Sequence, residues 1–384
     1  MRIAVLGGGP GGLYFAYLWK RRHPEAQVEL FEQNPAGATW GFGVVFSEQA
    51  LEFLRADDPD TADAISAEME SWSNITLNIH GDSVAIDGVG FSAIGRLKLL
   101  QALRARMTAV GATAHYDTHI KSVDDLAGYD LIVAADGLNS LVRRTFEGDF
   151  GTSLSYASNK FAWYGTTKRF DTLSQTFVAT ELGTFNAHHY RYAPDMSTFL
   201  IECDRATWQR YGFAEKTVEQ SQAICERVFA DALGGHKLIS NKSVWRNFPW
   251  VWNENWSFRN MVLIGDALHS AHFSIGSGTR LAMEDALALT KALEAEPGDL
   301  PAALARYQAE RKPIVQKLVA AARTSADWYE KFPEHMKRDT MDFAHSYITR
   351  SGRIDDQRLR AMSPAFMARY EASRQPAPAR EVRS

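Results

Sequence analysis

The 384-residue sequence has only two cysteines, Cys203 and Cys225, and they form no CxxC pair. This scarcity argues against a disulfide framework, a redox-active dithiol and a zinc site built on cysteine. No apolar run approaches the roughly 20 residues that a membrane helix needs. The first apolar strand already begins at residue 2, which does not fit a signal peptide. We therefore expect a cytoplasmic protein without a membrane partner.

The sequence also has little excess of charge of either sign. The 42 Lys and Arg residues nearly balance the 46 Asp and Glu residues, for a net charge of −4. The sequence therefore has no basic footprint for nucleic acid. Short basic clusters lie at 20–22 and 143–144, and we interpret them as helix ends and solvated faces.

The N-terminal segment combines a strand, a glycine-rich turn, a helix and a second strand. The apolar strand 2–6 leads into the sequence GGGPGG at 7–12, and a helix at 13–22 precedes the strand 28–32. In this pattern one glycine makes the turn, a second admits a pyrophosphate to the backbone, and a third lets the helix pack on the strand. The helix N-terminus attracts the phosphates, and Glu32 is placed to accept hydrogen bonds from ribose hydroxyls.

Two further motifs indicate which dinucleotide the protein binds. Residues 136–143 read Asp-Gly-x-x-Ser-x-x-Arg, although a capped turn without a cofactor contact explains that motif equally well. Residues 265–269 read Gly-Asp-Ala-Leu-His, and the glycine loop 276–278 opens the next helix. Asp266 is placed to bind a ribityl hydroxyl, and the loop to stabilise a reduced flavin. The three motifs favour FAD over NAD, and a second GxGxxG unit is missing, so NADH or NADPH would bind only transiently.

The order of the segments predicts an α/β (α+β) protein with a Rossmann-like FAD-binding domain, an inserted, mostly antiparallel substrate-binding sheet and C-terminal helices. The FAD-binding domain is assigned to residues 1–70, 92–155 and 259–330. The sheet domain is assigned to residues 71–91 and 156–258, the C-terminal helices to 331–373, and a disordered tail to 374–384. Apolar spacing predicts long helices at 281–294, 301–311 and 313–328.

The three motifs in this order resemble the single-component flavoprotein aromatic hydroxylases, the group around para-hydroxybenzoate hydroxylase. The resemblance covers roughly residues 1–330. It implies bound FAD, NADH or NADPH and O₂ as co-substrates, and a flavin hydroperoxide that delivers oxygen to an activated ring. In that family an arginine on the helix after the first hairpins contacts FAD, and Arg96 holds that position. The sequence departs from the family at Phe273, where proline is usual, and at Arg280, where asparagine is usual.

Motifs and resemblance together predict one set of cofactor-binding residues. These are Gly7, Gly9, Pro10, Gly11, Gly12, Glu32, Arg96, Asp136, Asp266, Ile275, Gly276, Ser277 and Gly278.

Segments 40–47, 159–166 and 272–276 are similar to a narrower branch of that family. The branch includes salicyloyl-CoA 5-hydroxylase, the flavin part of anthraniloyl-CoA monooxygenase and the violacein-pathway indole hydroxylase. It implies an electron-rich ring that carries a large substituent. Hydroxylation of salicyloyl-CoA to gentisyl-CoA is the first expectation, because the sequence has no counterpart of the reductase half of the anthraniloyl enzyme. An indole intermediate and anthraniloyl-CoA are the alternative substrates.

Four residues are candidates for the substrate pocket. His188 and Tyr190 lie on one face of a predicted strand of the inserted sheet, and either is placed to hydrogen-bond a phenol. Structural histidines explain that strand equally well. His272 and Phe273 directly precede the flavin loop and are the better candidates.

Two other patterns do not predict a functional site. His269 and His272 lie three residues apart, but no carboxylate or cysteine completes a metal site, so no metal is expected. Trp250 and Trp252 resemble part of a halogenase signature that lacks its Ile-Pro, and we interpret them as core or interface residues.

Two other functional classes share the three motifs. One is an FAD oxidoreductase that inserts no oxygen, and the other is a non-catalytic flavin-binding protein. Substrate-stimulated NAD(P)H oxidation with a product heavier by one oxygen atom separates the hydroxylase from both. The expected partner is a small aromatic molecule, and the expected assembly is a monomer or a homodimer.

Overall fold

The computed structural model describes residues 1–375, except for the side chains of residues 48 and 49. The strands are β1 (Arg2–Leu6), β2 (Gln27–Phe31), β3 (Gly43–Ser47), β4 (Glu70–Trp72), β5 (Ile75–Ile79), β6 (Asp82–Ile86), β7 (Phe91–Gly95), β8 (Thr113–His115), β9 (Leu131–Ala134), β10 (Thr152–Thr166), β11 (Leu173–Thr180), β12 (Gly183–Ala193), β13 (Met196–Cys203), β14 (Leu238–Ser240), β15 (Arg246–Asn253), β16 (Ser257–Phe258) and β17 (Met261–Leu263).

The helices follow the same chain order. They are α1 (Pro10–Arg22), α2 (Glu52–Asp57), α3 (Pro59–Ser66), α4 (Arg96–Ala109), α5 (Leu141–Thr145), α6 (Glu147–Phe150), α7 (Arg205–Arg210), α8 (Val218–Val228), α9 (Ala230–Leu233), α10 (Gly278–Ala295), α11 (Leu300–Glu330), α12 (Phe332–His335), α13 (Thr340–Thr349), α14 (Asp356–Met362) and α15 (Pro364–Ser373).

A six-stranded sheet has the order β16–β17–β9–β1–β2–β8, and every neighbouring pair is parallel except β16–β17. β9 and β17 are buried along their whole length, as expected for parallel strands that are covered on both faces. α1 packs against both α4 and α10. The strands predicted at 2–6, 28–32, 131–135 and 261–264 are confirmed to within one residue at each end.

The larger sheet has the order β14–β10–β13–β12–β11–β5–β6, with β15 also paired to β10. All of its pairs are antiparallel except β11–β5, through which the β5–β6 hairpin joins. β10 runs unbroken across the predicted boundary at residue 156. β3, β7 and β4 form a third, antiparallel sheet. The α/β fold class with an inserted, mostly antiparallel sheet is confirmed.

The two faces of the larger sheet have different surroundings. One face buries Tyr164, Phe185 and Phe199 in a core with residues of α8 and α9. The opposite face, here called the inner face, packs on the chain around β3, since a Cβ at Gly165 would lie 2.4 Å from the Phe42 ring. Strand register places on the inner face Phe161, Trp163, Gln175, His188, Tyr190, Leu200 and Glu202.

α11 corrects one prediction. Apolar spacing predicted separate helices at 301–311 and 313–328, but α11 is one helix of 31 residues with Pro313 inside it. Proline removes a single backbone hydrogen bond. Tyr307 on one side of it and Val315 on the other are fully buried in the same core, so packing of the apolar stripe holds the helix together across the proline.

Across residues 1–375, no helix is both long enough and apolar enough to cross a bilayer. The predicted disordered tail begins at residue 374, and its residues 376–384 lie outside the part of the chain that the structure describes.

Candidate active site

The glycine turn after β1 opens the N-terminus of α1 toward a cleft. Gly7 has φ +99°, and a Cβ at Gly12 would lie 2.1 Å from the Gly7 carbonyl oxygen, so strand and helix approach too closely for a side chain. Gly9 differs, because a Cβ there would meet no protein atom within 4 Å. Gly9 is also the N-cap of α1, with no side chain capping it, and Pro10 follows at the first helical position. The first N–H groups of α1 are therefore available to a phosphate.

Glu32 lies beside this turn. Its carboxylate accepts hydrogen bonds from the backbone N–H of Gly8 at 2.7 Å and from the backbone N–H of Asn34 at 2.8 Å. A cavity next to it is also lined by Gly9, Arg96, Arg104 and Tyr116. The two arginines and the open N-terminus of α1 thus suit a pyrophosphate, and the Glu32 carboxylate suits a ribose hydroxyl.

Among the lining residues that sequence reasoning missed are Arg104 and Tyr116. Arg104 lies two turns after Arg96 on α4, a spacing that the helical pattern could have revealed. Tyr116 follows β8 at the carboxyl end of the parallel sheet, where ligands of such sheets bind.

Arg96 lines the cavity, and Asp266 lies close enough for the two charges to affect each other. Burial lowers the pKa of Arg96, partly opposed by Asp266, and among the described residues its guanidinium donates to no protein group. Asp266 lies deep in the molecule, and burial raises its pKa against the opposing effects of His269 and Arg96. The residue is nevertheless solvent-exposed. A donor and an acceptor without protein partners suit a polar ligand between them.

Asp285 holds the motif around Asp266 in place. This buried carboxylate accepts hydrogen bonds from the Gly265 N–H at 3.0 Å, from His269 at 2.8 Å and from Arg311 at 2.9 Å. Burial alone would raise its pKa, but His269 and Arg311 outweigh burial and lower the pKa of Asp285 to about 2. Sequence analysis did not identify this network, since its members lie on different elements.

The second motif is tied to the third. Asp136 accepts a hydrogen bond from the Leu141 N–H at 2.7 Å, while its other carboxylate oxygen is buried without a protein partner. Arg143 donates to the carbonyls of Asp266 and Ala267. The interpretation of 143–144 as a solvated basic cluster is therefore wrong for Arg143, which is 3% exposed. The buried guanidinium donates instead to carbonyl oxygens of residues that are distant in sequence and that the fold brings close.

The glycine loop before α10 is braced by the C-terminal helices. Gly276 has φ +61°, and a Cβ there would lie 2.9 Å from the Val45 side chain. Gly278 begins α10 and would place a Cβ in open space. Arg350 donates to the Ser274 carbonyl at 2.8 Å, immediately before Ile275. Within the loop, the Ser277 hydroxyl donates to the carbonyl of Ile275. Gly11 lies where α1 closely approaches α10, so its lack of a side chain serves helix packing.

His188 and Tyr190 occupy the inner face, and His189 lies in the opposite core beside Phe199. The Tyr190 hydroxyl donates to the Gly43 carbonyl at 2.9 Å, so it already anchors the segment that begins β3. The His188 ring lies 5.4 Å from the Phe273 ring. The structure thus brings His188 and Phe273 together and gives Tyr190 a structural hydrogen bond.

Aromatic side chains surround this meeting point. His272 contacts the rings of Phe273 and Phe248, and its Nδ1 accepts the Ser274 N–H at 3.3 Å. Burial lowers the pKa of His272, which keeps the ring neutral. Trp250 stacks on His272, and Arg323 of α11 lies over its outer face. The interface interpretation of Trp250 agrees with this packing.

These features define a dinucleotide-binding protein in which a cluster of aromatic side chains lies directly before the glycine loop. Residues 94–322 match the FAD binding domain family. The chain is 37% identical to salicyloyl-CoA 5-hydroxylase of Streptomyces sp, over 97% of this chain and 73% of that protein. It is 37% identical to 3-hydroxy-4-methyl-anthranilyl-[aryl-carrier protein] 5-monooxygenase of Streptosporangium sibiricum, over 92% and 95%. It is 33% identical to protodeoxyviolaceinate monooxygenase of Chromobacterium violaceum, over 91% and 94%.

Solved structures agree on the fold. A mutant of 2-methyl-3-hydroxypyridine-5-carboxylic acid oxygenase superposes with a TM-score of 0.73 at 18% identity, covering 91% of this chain and 96% of that one. PqsL of Pseudomonas aeruginosa superposes with a TM-score of 0.68 at 19% identity, covering 91% and 100%. The fold and site are those of an FAD-binding oxidoreductase. More narrowly, the chain belongs to the FAD-dependent aromatic monooxygenases.

Proposed function

We propose that this enzyme hydroxylates an aryl-CoA thioester, with salicyloyl-CoA and its 5 position as the first choice. The observation that carries the proposal is the meeting of His188, His272 and Phe273 beside the braced flavin loop. The names of two relatives at 37% identity specify an aromatic acyl group, attached to CoA in one and to a carrier protein in the other, and both names specify reaction at position 5. A ring hydroxyl ortho to the acyl group enriches that carbon, which lies para to the hydroxyl.

Different cofactor-binding residues would hold different parts of FAD. The α1 N-terminus and Arg96 would hold the pyrophosphate, Glu32 the adenosine ribose, and Asp266 the ribityl chain. Bound FAD, reduced by NADH or NADPH, would activate O₂ for transfer of one oxygen atom to the ring. The chain's own part is to bind the ring against Phe273, keep water out and hold the loop rigid.

The carrier would act through binding energy. A large acyl substituent makes contacts far from the reacting carbon, and these contacts can position the ring without changing its electronics. Free salicylate is comparably activated but lacks them. A cytoplasmic location and a monomeric or homodimeric state remain predictions.

The test measures NAD(P)H oxidation and product mass with salicyloyl-CoA, anthraniloyl-CoA, benzoyl-CoA, free salicylate and an indole substrate. We expect slow oxidation alone, a sharp rise with salicyloyl-CoA, and a product heavier by one oxygen atom. Benzoyl-CoA is the matched control, because it keeps the carrier and lacks the activating hydroxyl. Equal efficiency on free salicylate and salicyloyl-CoA would rule out the CoA proposal. Preference for the indole would support the relationship with protodeoxyviolaceinate monooxygenase instead.

A further inference from the structure

The protonation of His188 is set by a chain of hydrogen bonds behind it. The Gln175 side-chain oxygen accepts from Asn186 at 3.2 Å and from the Tyr329 hydroxyl at 3.3 Å. The Gln175 amide nitrogen must then face His188 Nδ1, which lies 2.8 Å away. Because an amide N–H donates, Nδ1 accepts, and the proton of the neutral ring resides on Nε2. His188 therefore presents an Nε2–H donor to its other side.

Glu202 lies on that other side, buried on the inner face. Its Oε1 accepts from the Asn159 amide at 2.9 Å, and the same amide donates to the Tyr329 carbonyl, which fixes its orientation. Glu202 Oε2 lies 3.5 Å from His188 Nε2. Among the described residues, neither Oε2 nor Nε2 has a hydrogen-bond partner. A donor and an acceptor thus lie side by side, both buried and both unpaired.

A hydroxyl group complements this pair, because it accepts one hydrogen bond and donates another. The His188 side chain keeps 10% of its surface exposed, while that of Glu202 keeps 2%. His188 is thus the more accessible of the two, and its ring lies 5.4 Å from the Phe273 ring. A hydroxyl placed beside both atoms would satisfy each of them.

The surroundings give Glu202 the properties of a base. Burial raises the pKa of Glu202 to about 7, despite the hydrogen bond from Asn159. Groups from each packed element face the pair: Tyr329 from α11, His272 from the segment before the flavin loop and Arg350 directly after α13. Burial lowers the pKa of His188 to about 3, so the histidine stays neutral. A carboxylate near neutrality is suited to accept a proton at physiological pH.

We propose that Glu202 is the catalytic base that takes the proton of the ring hydroxyl, while His188 Nε2–H donates to the same ring oxygen. The proposal rests on the proposed function. The O–H bond of the ring breaks, its electron pair stays on the ring oxygen, and the proton bonds to Glu202 Oε2. One negative charge moves from the carboxylate to the ring, so the net charge of the buried site is unchanged. The ionised oxygen enriches the para carbon that is to be hydroxylated.

The first experiment compares the wild-type holoenzyme with Glu202→Gln, which keeps size and removes the base. On binding salicyloyl-CoA, the wild-type difference spectrum should show the longer-wavelength absorption of an ionised ring, and the variant should show a neutral one. FAD occupancy should be unchanged, and kcat should fall roughly 100-fold, the range of a lost general base. Glu226→Gln, on α8 behind the sheet, is the matched control and should behave as wild type.

A second measurement does not depend on the variant's folding. The O-methyl ether of salicyloyl-CoA cannot donate to Glu202, so wild-type enzyme should bind it at least about tenfold more weakly than salicyloyl-CoA. Glu202→Gln should lose most of that preference. Two outcomes would overturn the role of Glu202 and leave the proposed function intact. In one, the wild-type enzyme hydroxylates salicyloyl-CoA and Glu202→Gln is equally active. In the other, the wild-type enzyme hydroxylates salicyloyl-CoA but binds the methyl ether equally well. A wild-type enzyme inactive on every ring of the panel would overturn the proposed function and this inference with it.

Discussion

Gly9 and Gly12 are one turn apart, but their surroundings differ. A Cβ at Gly12 would collide with the backbone of Gly7, whereas a Cβ at Gly9 would meet only open space. Gly9 also has φ −75° and ψ 176°, a conformation that alanine adopts without strain. The protein itself therefore leaves room for a side chain at Gly9, and a substitution there tests whether a ligand lies over the turn.

We expect Gly9→Ala to fold with wild-type stability and to bind FAD at least about tenfold more weakly, which is about 1.4 kcal/mol. Gly12→Ala should instead destabilise the FAD-free protein by about 1–3 kcal/mol through overpacking. Urea unfolding of the FAD-free forms and titration of FAD fluorescence measure the two effects. Wild-type FAD affinity in Gly9→Ala would show that the pyrophosphate does not lie over this turn.

At the scale of elements, the C-terminal helices reach the flavin loop through one side chain. Arg350, directly after α13, donates to the Ser274 carbonyl, the Ser325 hydroxyl and the Tyr347 carbonyl. Ser274 and Ser325 also share a hydrogen bond of 2.8 Å. Arg350 thus joins α11, α13 and the loop, and the loop's geometry depends on helices far along the chain.

Arg350→Ala should loosen the loop and weaken FAD binding by about tenfold, because hydrogen bonds from a charged donor contribute about 1.5–3 kcal/mol each. The FAD dissociation rate, followed by flavin fluorescence, reports the change. The exposed Arg353→Ala is the matched control and should release FAD at the wild-type rate. Equal rates for the two variants would exclude the brace between α13 and the loop.

At the scale of the whole molecule, the cofactor cleft joins segments that are distant in sequence. The turn at 7–12, the segment 34–40 and α4 all border it. A ligand that binds only the folded arrangement stabilises every segment together.

FAD should therefore raise the unfolding temperature of the entire chain in one transition. At an FAD concentration 100 times the Kd, the added stability should be about 2.7 kcal/mol. Calorimetry of the FAD-free protein over a series of FAD concentrations measures it, with riboflavin, which lacks the adenosine and pyrophosphate, as the control. An unfolding temperature that does not change with FAD would contradict a cleft shared by these segments.

The sequence by itself determined the fold class, the FAD-binding domain and the monooxygenase family. Its signals are local: GGGPGG between two strands, Gly-Asp-Ala after a buried strand, and a glycine loop that opens α10. Such motifs constrain the backbone within a few residues, so their conformation follows from neighbouring residues alone. Alternation along β12 likewise separates His188 from His189 without any knowledge of the partner strands.

Only the tertiary structure decided which buried polar groups meet. Asp285 finds His269 and Arg311, and Arg143 finds the carbonyls of the third motif. Glu202 faces His188 because β12 and β13 pair in a particular register. Local sequence does not encode these partners, since burial of a charge is tolerated only where distant segments supply its counterpart. The sequence thus specifies the glycine turns and loops, and the packing of the sheet against the glycine loop and the C-terminal helices specifies which polar side chains meet there.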